Sequence, residues 1–153
     1  MKRKTKYNAK TKEAEITYFD DGLIAVGRAK LHPEDEEFGT RLTGLQIADY
    51  RAEAKMWYKK ALKELDTVIY ISNRYKHNKT TKAFCDYLTE LAGEYFKRAI
   101  TLDESLEDFL NIKDEHYTLV RNIREGKVAS MEFKEDLTDF ISDELKKAID
   151  GGM

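Results

Sequence analysis

The sequence predicts an α+β fold in which an N-terminal β-hairpin is followed by a long helix and about three further helices that form a bundle. Two β-prone runs flank Asp20-Asp21-Gly22, and apolar residues then recur at helical spacing from residue 40 onward. The 153 residues include 37% charged and 41% hydrophobic residues, which is typical of helices with broad solvated faces. We expect a single domain over residues 1–153, since this length can bury its own core.

The β-hairpin is predicted over residues 14–31. Its two runs extend from Ile16 to Phe19 and from Leu23 to Leu31, and an Asp-Gly pair between apolar runs favours a tight two-residue turn. Residues 1–12 precede the hairpin and contain six Lys or Arg residues and no acid. This composition predicts a flexible basic arm.

The helical part is predicted over residues 40–150, and Gly39-Thr40 offers an N-cap for its first helix. Apolar spacing extends this helix from about residue 40 to 65 or beyond. The run from Val68 to Ile71 could end the helix, continue it or form a strand, and residues 72–79 are interpreted as a connector.

Three more helices are predicted after the connector. The first carries an apolar stripe from Phe84 to Leu102, with Phe84 assigned to the core. Thr101 with Glu104 resembles a capping box that would start the next helix, and Gly126 would end it. Ser130 is expected to cap the last.

Charge and cysteine content limit the class of protein. The single cysteine, Cys85, cannot form an internal disulfide, which favours a reducing compartment. The sequence begins without a signal-peptide pattern, and no stretch approaches the ~18 apolar residues of a membrane span. We therefore expect a cytoplasmic protein without a membrane partner.

The charge is unevenly distributed along the chain. Residues 1–99 carry 20 basic and 15 acidic residues, whereas residues 100–153 carry 7 basic and 14 acidic residues. This polarity could steer a charged partner.

The corner from Ala29 to Gly39 is the strongest candidate for chemistry, because His32 is followed by Glu34, Asp35, Glu36 and Glu37. Consecutive carboxylates point in different directions, however, and no zinc or EF-hand spacing is present. Turn formation at Pro33 accounts for the corner more simply. The chain also lacks nucleophile-elbow, phosphate-loop and dinucleotide motifs. We expect no enzymatic activity, no metal and no cofactor.

Two further surfaces could bind a partner. Residues 72–82 mix basic residues with Tyr75, a composition that can contact phosphates and stack a base; the alternative is a solvated loop. The basic residues are Arg74, Lys76, Lys79 and Lys82. Trp57 and Tyr75 are candidate aromatic contacts for a partner protein, and the alternative for Trp57 is the edge of the core.

Residues 27–52 resemble a recurring segment of small uncharacterised proteins of bacteriophages and prophages of Gram-positive bacteria. In that segment a strand leads through an Ala-basic-x-x-Pro-x-Asp pattern to Phe, Gly and a helix with Ala-x-x-Arg-Ala. The matching residues are Ala29, Lys30, Pro33, Asp35, Phe38, Gly39, Ala48, Arg51 and Ala52. The resemblance covers about one sixth of the chain. It implies a phage context, in which small proteins of this kind resemble accessory factors that inhibit host proteins, including CRISPR nucleases.

The sequence therefore leads to two functional hypotheses. The first is a phage-encoded accessory protein that binds and inhibits a host protein, such as a nucleic-acid-binding nuclease, in the host cytoplasm. An acidic face would engage the basic groove of that target through Asp136, Asp139, Asp143 and Glu144. The alternative is a small nucleic-acid-binding regulatory protein. A homodimer is compatible with either, since an amphipathic stripe can be covered within one chain or between two.

Overall fold

The computed structural model describes residues 1–32 and 39–126. They form a three-stranded antiparallel sheet in the order β1-β2-β3, followed by two long helices. Helix α1 packs on one face of the sheet, and α2 packs against α1. The predicted α+β class is confirmed. The elements are β1 (Lys2–Asn8), β2 (Glu13–Asp20), β3 (Leu23–Lys30), α1 (Arg41–Arg74) and α2 (Lys79–Arg124).

The predicted hairpin is confirmed as β2 and β3. Their register pairs Asp20 with Leu23, so the turn contains only Asp21 and Gly22. Both residues have positive φ, 49° and 79°, which is the backbone of a type I′ turn. Gly tolerates this conformation without steric cost and Asp tolerates it better than most residues.

The predicted flexible basic arm is wrong, because Lys2–Asn8 form strand β1, paired antiparallel with β2. Successive side chains of a strand point to opposite faces, and here the alternation separates the cations. Arg3 is half-buried on the helix side, whereas Lys2, Lys4 and Lys6 are exposed on the other face. A run of cations is compatible with pairing when most of its charges remain in water.

Helix α1 begins where the sequence predicts. The side chain of Thr40 accepts a hydrogen bond from the backbone N–H of Thr43 at 3.1 Å, as an N-cap does. The run from Val68 to Ile71 continues the helix, and the connector is reduced to residues 75–78. Asn78 caps α2 in the same manner, accepting from the N–H of Thr81 at 2.9 Å.

The predicted helix boundary at Thr101 is wrong, because α2 runs without interruption from Lys79 to Arg124. The Thr-x-x-Glu pattern starts a helix only where the preceding residues are non-helical. Here Ala99 and Phe109 are both buried on either side of Thr101, and packing keeps the segment between them helical. The described residues thus contain two helices instead of the predicted three. The fourth, from Ser130, lies outside the described residues.

The core lies between the sheet and α1 and is made largely of small residues. Ala14, Ala25 and Ala29 of the sheet meet Ala48 and Ala52 of α1, all with at most 6% exposure. Small side chains allow the helix to approach the strands closely. The largest fully buried side chains are Ile16 and Met56.

A row of cations on α1 covers the outer edge of β3. Four side chains spaced four residues apart donate hydrogen bonds to β3 and turn carbonyls, at 2.7 Å for Arg51 to Arg28 and 2.9 Å for Lys55 to Val26. Four residues of a helix rise about 6.0 Å, and alternate residues of a strand are ~6.8 Å apart. Because these spacings are similar, successive donors on α1 lie near successive carbonyls of β3. The four donors are Arg51, Lys55, Lys59 and Lys63, and their acceptors are the carbonyls of Arg28, Val26, Ile24 and Asp21.

We expect a double substitution, Lys55→Ala with Lys59→Ala, to cause concentration-dependent self-association. Without these side chains the carbonyls of Val26 and Ile24 would be open to pairing with the strand of another molecule. Light scattering after size-exclusion chromatography measures the change. The matched control, Lys10→Ala with Lys97→Ala, removes two exposed cations elsewhere and should leave the association state unchanged. Equal masses for the two double variants at all concentrations would contradict the protective role.

Candidate interaction surface at the helical hairpin tip

Helices α1 and α2 form an antiparallel hairpin whose end extends past the sheet. Lys63 of α1 forms an ion pair with Asp21 in the hairpin turn of the sheet, at 3.0 Å. Eleven more residues of α1 follow, a rise of about 16 Å. We define the hairpin tip as residues 62–87, between Ala61 and Leu88, which are both buried. No residue within the tip is buried.

The hairpin tip exposes large apolar and aromatic side chains. Six are about half exposed or more, from 49% for Phe84 to 59% for Tyr87. Isolated apolar residues are common on protein surfaces, but a concentration of large ones is typical of an interaction site. Tyrosine is also among the residues favoured in interfaces. The six are Leu62, Ile69, Tyr70, Tyr75, Phe84 and Tyr87.

The four basic residues predicted for nucleic-acid contact lie together at the end of the hairpin tip. Arg74 is the last residue of α1, Lys76 is in the connector, Lys79 is the first residue of α2, and Lys82 lies in the first turn. All four are exposed. Residues 72–82 contain no acid, so this end of the hairpin is positively charged.

Tyr75 is the more accessible of the two predicted aromatic contacts. It is 58% exposed, and its ring lies edge-on to that of Tyr70 with centroids 6.4 Å apart. The guanidinium of Arg74 lies 5.0 Å from the centre of the Tyr70 ring, a cation–π geometry. Aromatic and cationic groups therefore alternate at the end of the hairpin.

Trp57 is half-buried in the cleft between the helices, about 27 Å along α1 from Tyr75. Its ring is 5.4 Å from the Tyr95 ring, and the cationic groups of Lys60 and Arg98 lie 5.0 and 4.6 Å from its centre. The two predicted aromatic contacts do not form one cluster, and Trp57 has several intramolecular partners.

The contact of Trp57 with Tyr95 places one stripe of each helix on the same side of the hairpin. On α1 the stripe continues at helical spacing to Tyr75, and on α2 it runs from Phe84 to Tyr95. We call this surface the aromatic face. Its members outside the cleft are Val68, Ile71, Tyr75, Phe84, Tyr87 and Leu91. The assignment of Phe84 to the core is wrong, since it is 49% exposed.

A polar cluster lies nearer the sheet, where Asp49 accepts hydrogen bonds from Tyr18 at 2.6 Å and Arg3 at 3.2 Å. Burial and the hydrogen bond to Asp49 raise the pKa of Tyr18 above its ordinary value. Burial alone would lower the pKa of Arg3, but the charge and hydrogen bond of Asp49 raise it. The cluster joins β1, β2 and α1.

Glu53 follows Asp49 by one helical turn. Burial raises its pKa, the negative charge of Asp49 adds to the rise, and the hydrogen bond from Trp57 opposes it. Glu53 therefore remains protonated to a higher pH than an exposed glutamate. We interpret Asp49 and Glu53 as structural, because their partners are the side chains that hold the sheet and helices together.

The predicted acidic face, Asp136, Asp139, Asp143 and Glu144, lies outside the described residues, as does most of the His32 corner. Among residues 1–32 and 39–126, no group of three or more His, Cys, Asp or Glu residues could hold a metal ion. Neither described helix is long and apolar enough to cross a bilayer. No protein-family model matches the chain, and comparisons with curated proteins and solved structures give no match.

Proposed function

We propose that this chain is a phage-encoded accessory protein that binds and inhibits a host protein in the host cytoplasm. The observation that carries the proposal is the hairpin tip, where 26 successive residues contain no buried side chain and large aromatic groups are exposed. The phage-like segment at residues 27–52 supplies the context. The target class is a nucleic-acid-handling machine such as a CRISPR nuclease.

Stoichiometric binding accounts for the exposed groups better than catalysis does. Interfaces combine an aromatic and apolar centre with a polar rim, and the hairpin tip has both. In this proposal the acidic residues of the C-terminal segment form a second contact with the basic groove of the target. They are Asp136, Asp139, Asp143 and Glu144.

The proposal is tested by capture of the tagged full chain with its partners from a Gram-positive host lysate, with and without nuclease treatment. We expect one host protein to remain in equimolar amount after nuclease treatment, and its activity to fall linearly with added chain until the two are equimolar. The proposal would be rejected if nuclease treatment removed every captured partner together with the nucleic acid. So would an inhibitory effect far below equimolar amounts, because that would indicate catalysis.

The second candidate is a small nucleic-acid-binding regulatory protein. One observation favours it. Four exposed cations lie close in sequence to exposed Tyr75, within residues 72–82, which contain no acid. If these cations contact four phosphates of duplex DNA, the logarithm of the affinity should fall with the logarithm of salt concentration with a slope of about −3.6. An absence of DNA and RNA binding at low salt would remove this candidate.

A further inference from the structure

We propose that the hairpin tip docks on an acidic protein surface that surrounds an apolar centre. This inference rests on the proposed function and specifies the chemistry of the partner. It assigns this contact to residues 62–87, separate from the second contact through the acidic residues of the C-terminal segment. Two properties of the tip determine the complementary surface: its apolar side chains and its charge.

The apolar part of the hairpin tip requires an apolar partner. Tyr75, Phe84 and Tyr87 are 58%, 49% and 59% exposed, and Val68 and Ile71, which helical spacing assigns to the same face, are half-buried. Burying such area gains about 25 cal/mol per Å². Aliphatic groups gain this energy against other apolar side chains, whereas the phosphates and sugars of nucleic acid provide little matching surface. A protein therefore fits the aromatic face better than a nucleic acid does.

The charge of the hairpin tip selects an acidic partner. The four cations lie on both helix ends and the connector, where residues 72–82 contain no acid. The hairpin tip as a whole carries five Lys or Arg residues against three acids, Glu64, Asp66 and Asp86. Complementary charge around an apolar centre increases both association rate and specificity. Carboxylates on the partner would pair with Arg74, Lys76, Lys79 and Lys82.

A second copy of the chain is a poorer occupant. A symmetric dimer uses the same patch on both subunits, so the tip of each copy would bring the same four cations towards the other, and like charges oppose that contact.

A synthetic peptide tests the chemistry of the partner directly. The probe is an amphipathic helix of about 18 residues, with Leu on one face and Glu on the other. A second peptide replaces every Glu by Lys, and a single-stranded DNA of about 20 nucleotides represents the other class of partner. With isotope-labelled full chain, we expect the Glu peptide to shift amide resonances of residues 68–87. Its affinity should exceed that of the Lys peptide by about tenfold or more.

Two pairs of variants locate the contact. We expect Tyr75→Ala with Tyr87→Ala to weaken binding of the Glu peptide about tenfold, whereas Ile100→Ala, which truncates a residue that is 48% exposed outside the tip, should leave it unchanged. We expect Lys76→Glu with Lys79→Glu to abolish the difference between the Glu and Lys peptides. The matched control, Lys4→Glu with Lys6→Glu, reverses two exposed charges on the sheet. Circular dichroism verifies that each variant is folded.

Several results would overturn the inference. They are tighter binding of DNA than of the Glu peptide, no detectable binding of the Glu peptide, and a dimer that dissociates when Tyr75 and Tyr87 are replaced. Its failure is distinguishable from failure of the proposed function. If a host protein is captured equally well by the Tyr75 and Tyr87 variant, the proposed function stands and the tip is not its surface. If the peptide binds at the tip but no host protein is captured, the chemistry assigned to the tip stands and the proposed function fails.

Discussion

Replacement of Gly27 by alanine is expected to destabilise the chain by about 3 kcal/mol or more. A Cβ at this position would lie 2.1 Å from the carbonyl oxygen of Ala48 and 2.3 Å from the backbone nitrogen of Ala52. These are backbone atoms of α1, so the collision cannot be relieved by a side-chain rotation. The helix must move away from the sheet, and the contacts of Ala25 and Ala29 with α1 would loosen with it. Urea unfolding monitored by circular dichroism measures the loss.

Gly93→Ala is the matched control, since it adds the same methyl group in the interior of α2, where nothing lies within 4 Å of the new atom. Alanine is favoured over glycine inside a helix by about 0.5–1 kcal/mol, so this variant should be more stable than the parent chain. The two substitutions therefore have opposite expected signs. A stability loss at Gly27 no larger than about 1 kcal/mol would mean that the helix and sheet are less closely packed there than the structure indicates.

Local chemistry determined the features that the sequence predicted correctly. The turn at Asp21-Gly22 and the cap at Thr40 each depend on residues adjacent in the chain and on a backbone conformation that few residues favour. The cluster of Arg74, Lys76 and Lys79 could also be predicted from the sequence, because a short connector keeps neighbouring residues together whatever the surrounding fold. Predictions of this kind do not require knowledge of the tertiary structure.

The incorrect predictions share a different cause, which is that tertiary pairing outweighed a local signal. The cations of Lys2–Asn8 resemble a solvated arm until the strand period is applied, which separates Arg3 from Lys4 and Lys6. Thr101 resembles a helix start until the burial of Ala99 and Phe109, on either side of it, is taken into account. The pairing of β1 with β2 and the packing of α2 against α1 are not evident from the sequence near Lys4 or Thr101.

The accessibility of the candidate surface could not be predicted from periodicity. A stripe such as that of Phe84, Leu88 and Tyr95 indicates which side of a helix is apolar, but not how far along the helix the covering element extends. The decisive comparison is one of length. Helix α1 has 34 residues, about 51 Å, whereas the strands have at most 8 residues, about 27 Å. The sheet therefore cannot cover the end of the hairpin, and this mismatch was the available signal.

Asp49→Ala is expected to cost about 3 kcal/mol of unfolding free energy. The Asp49 side chain is only 12% exposed and accepts from both Tyr18 and Arg3. Its removal would leave the hydroxyl of Tyr18 buried without this acceptor and would remove the ion pair with Arg3. Leaving a buried polar group without a hydrogen-bond partner costs more stability than the net contribution of the hydrogen bond itself. Thermal and urea unfolding measure the effect.

Three further substitutions separate packing from polar satisfaction at Asp49. Asn at this position retains an oxygen that can accept from Tyr18 but loses the charge that pairs with Arg3, so its cost should be intermediate. Tyr18→Phe removes the donor and leaves Asp49 with Arg3, at about 1 kcal/mol. Glu15→Ala breaks the exposed pair with Arg28 and should cost at most about 1 kcal/mol. If Asp49→Ala costs no more than Glu15→Ala, water must reach the cluster and replace the lost acceptor.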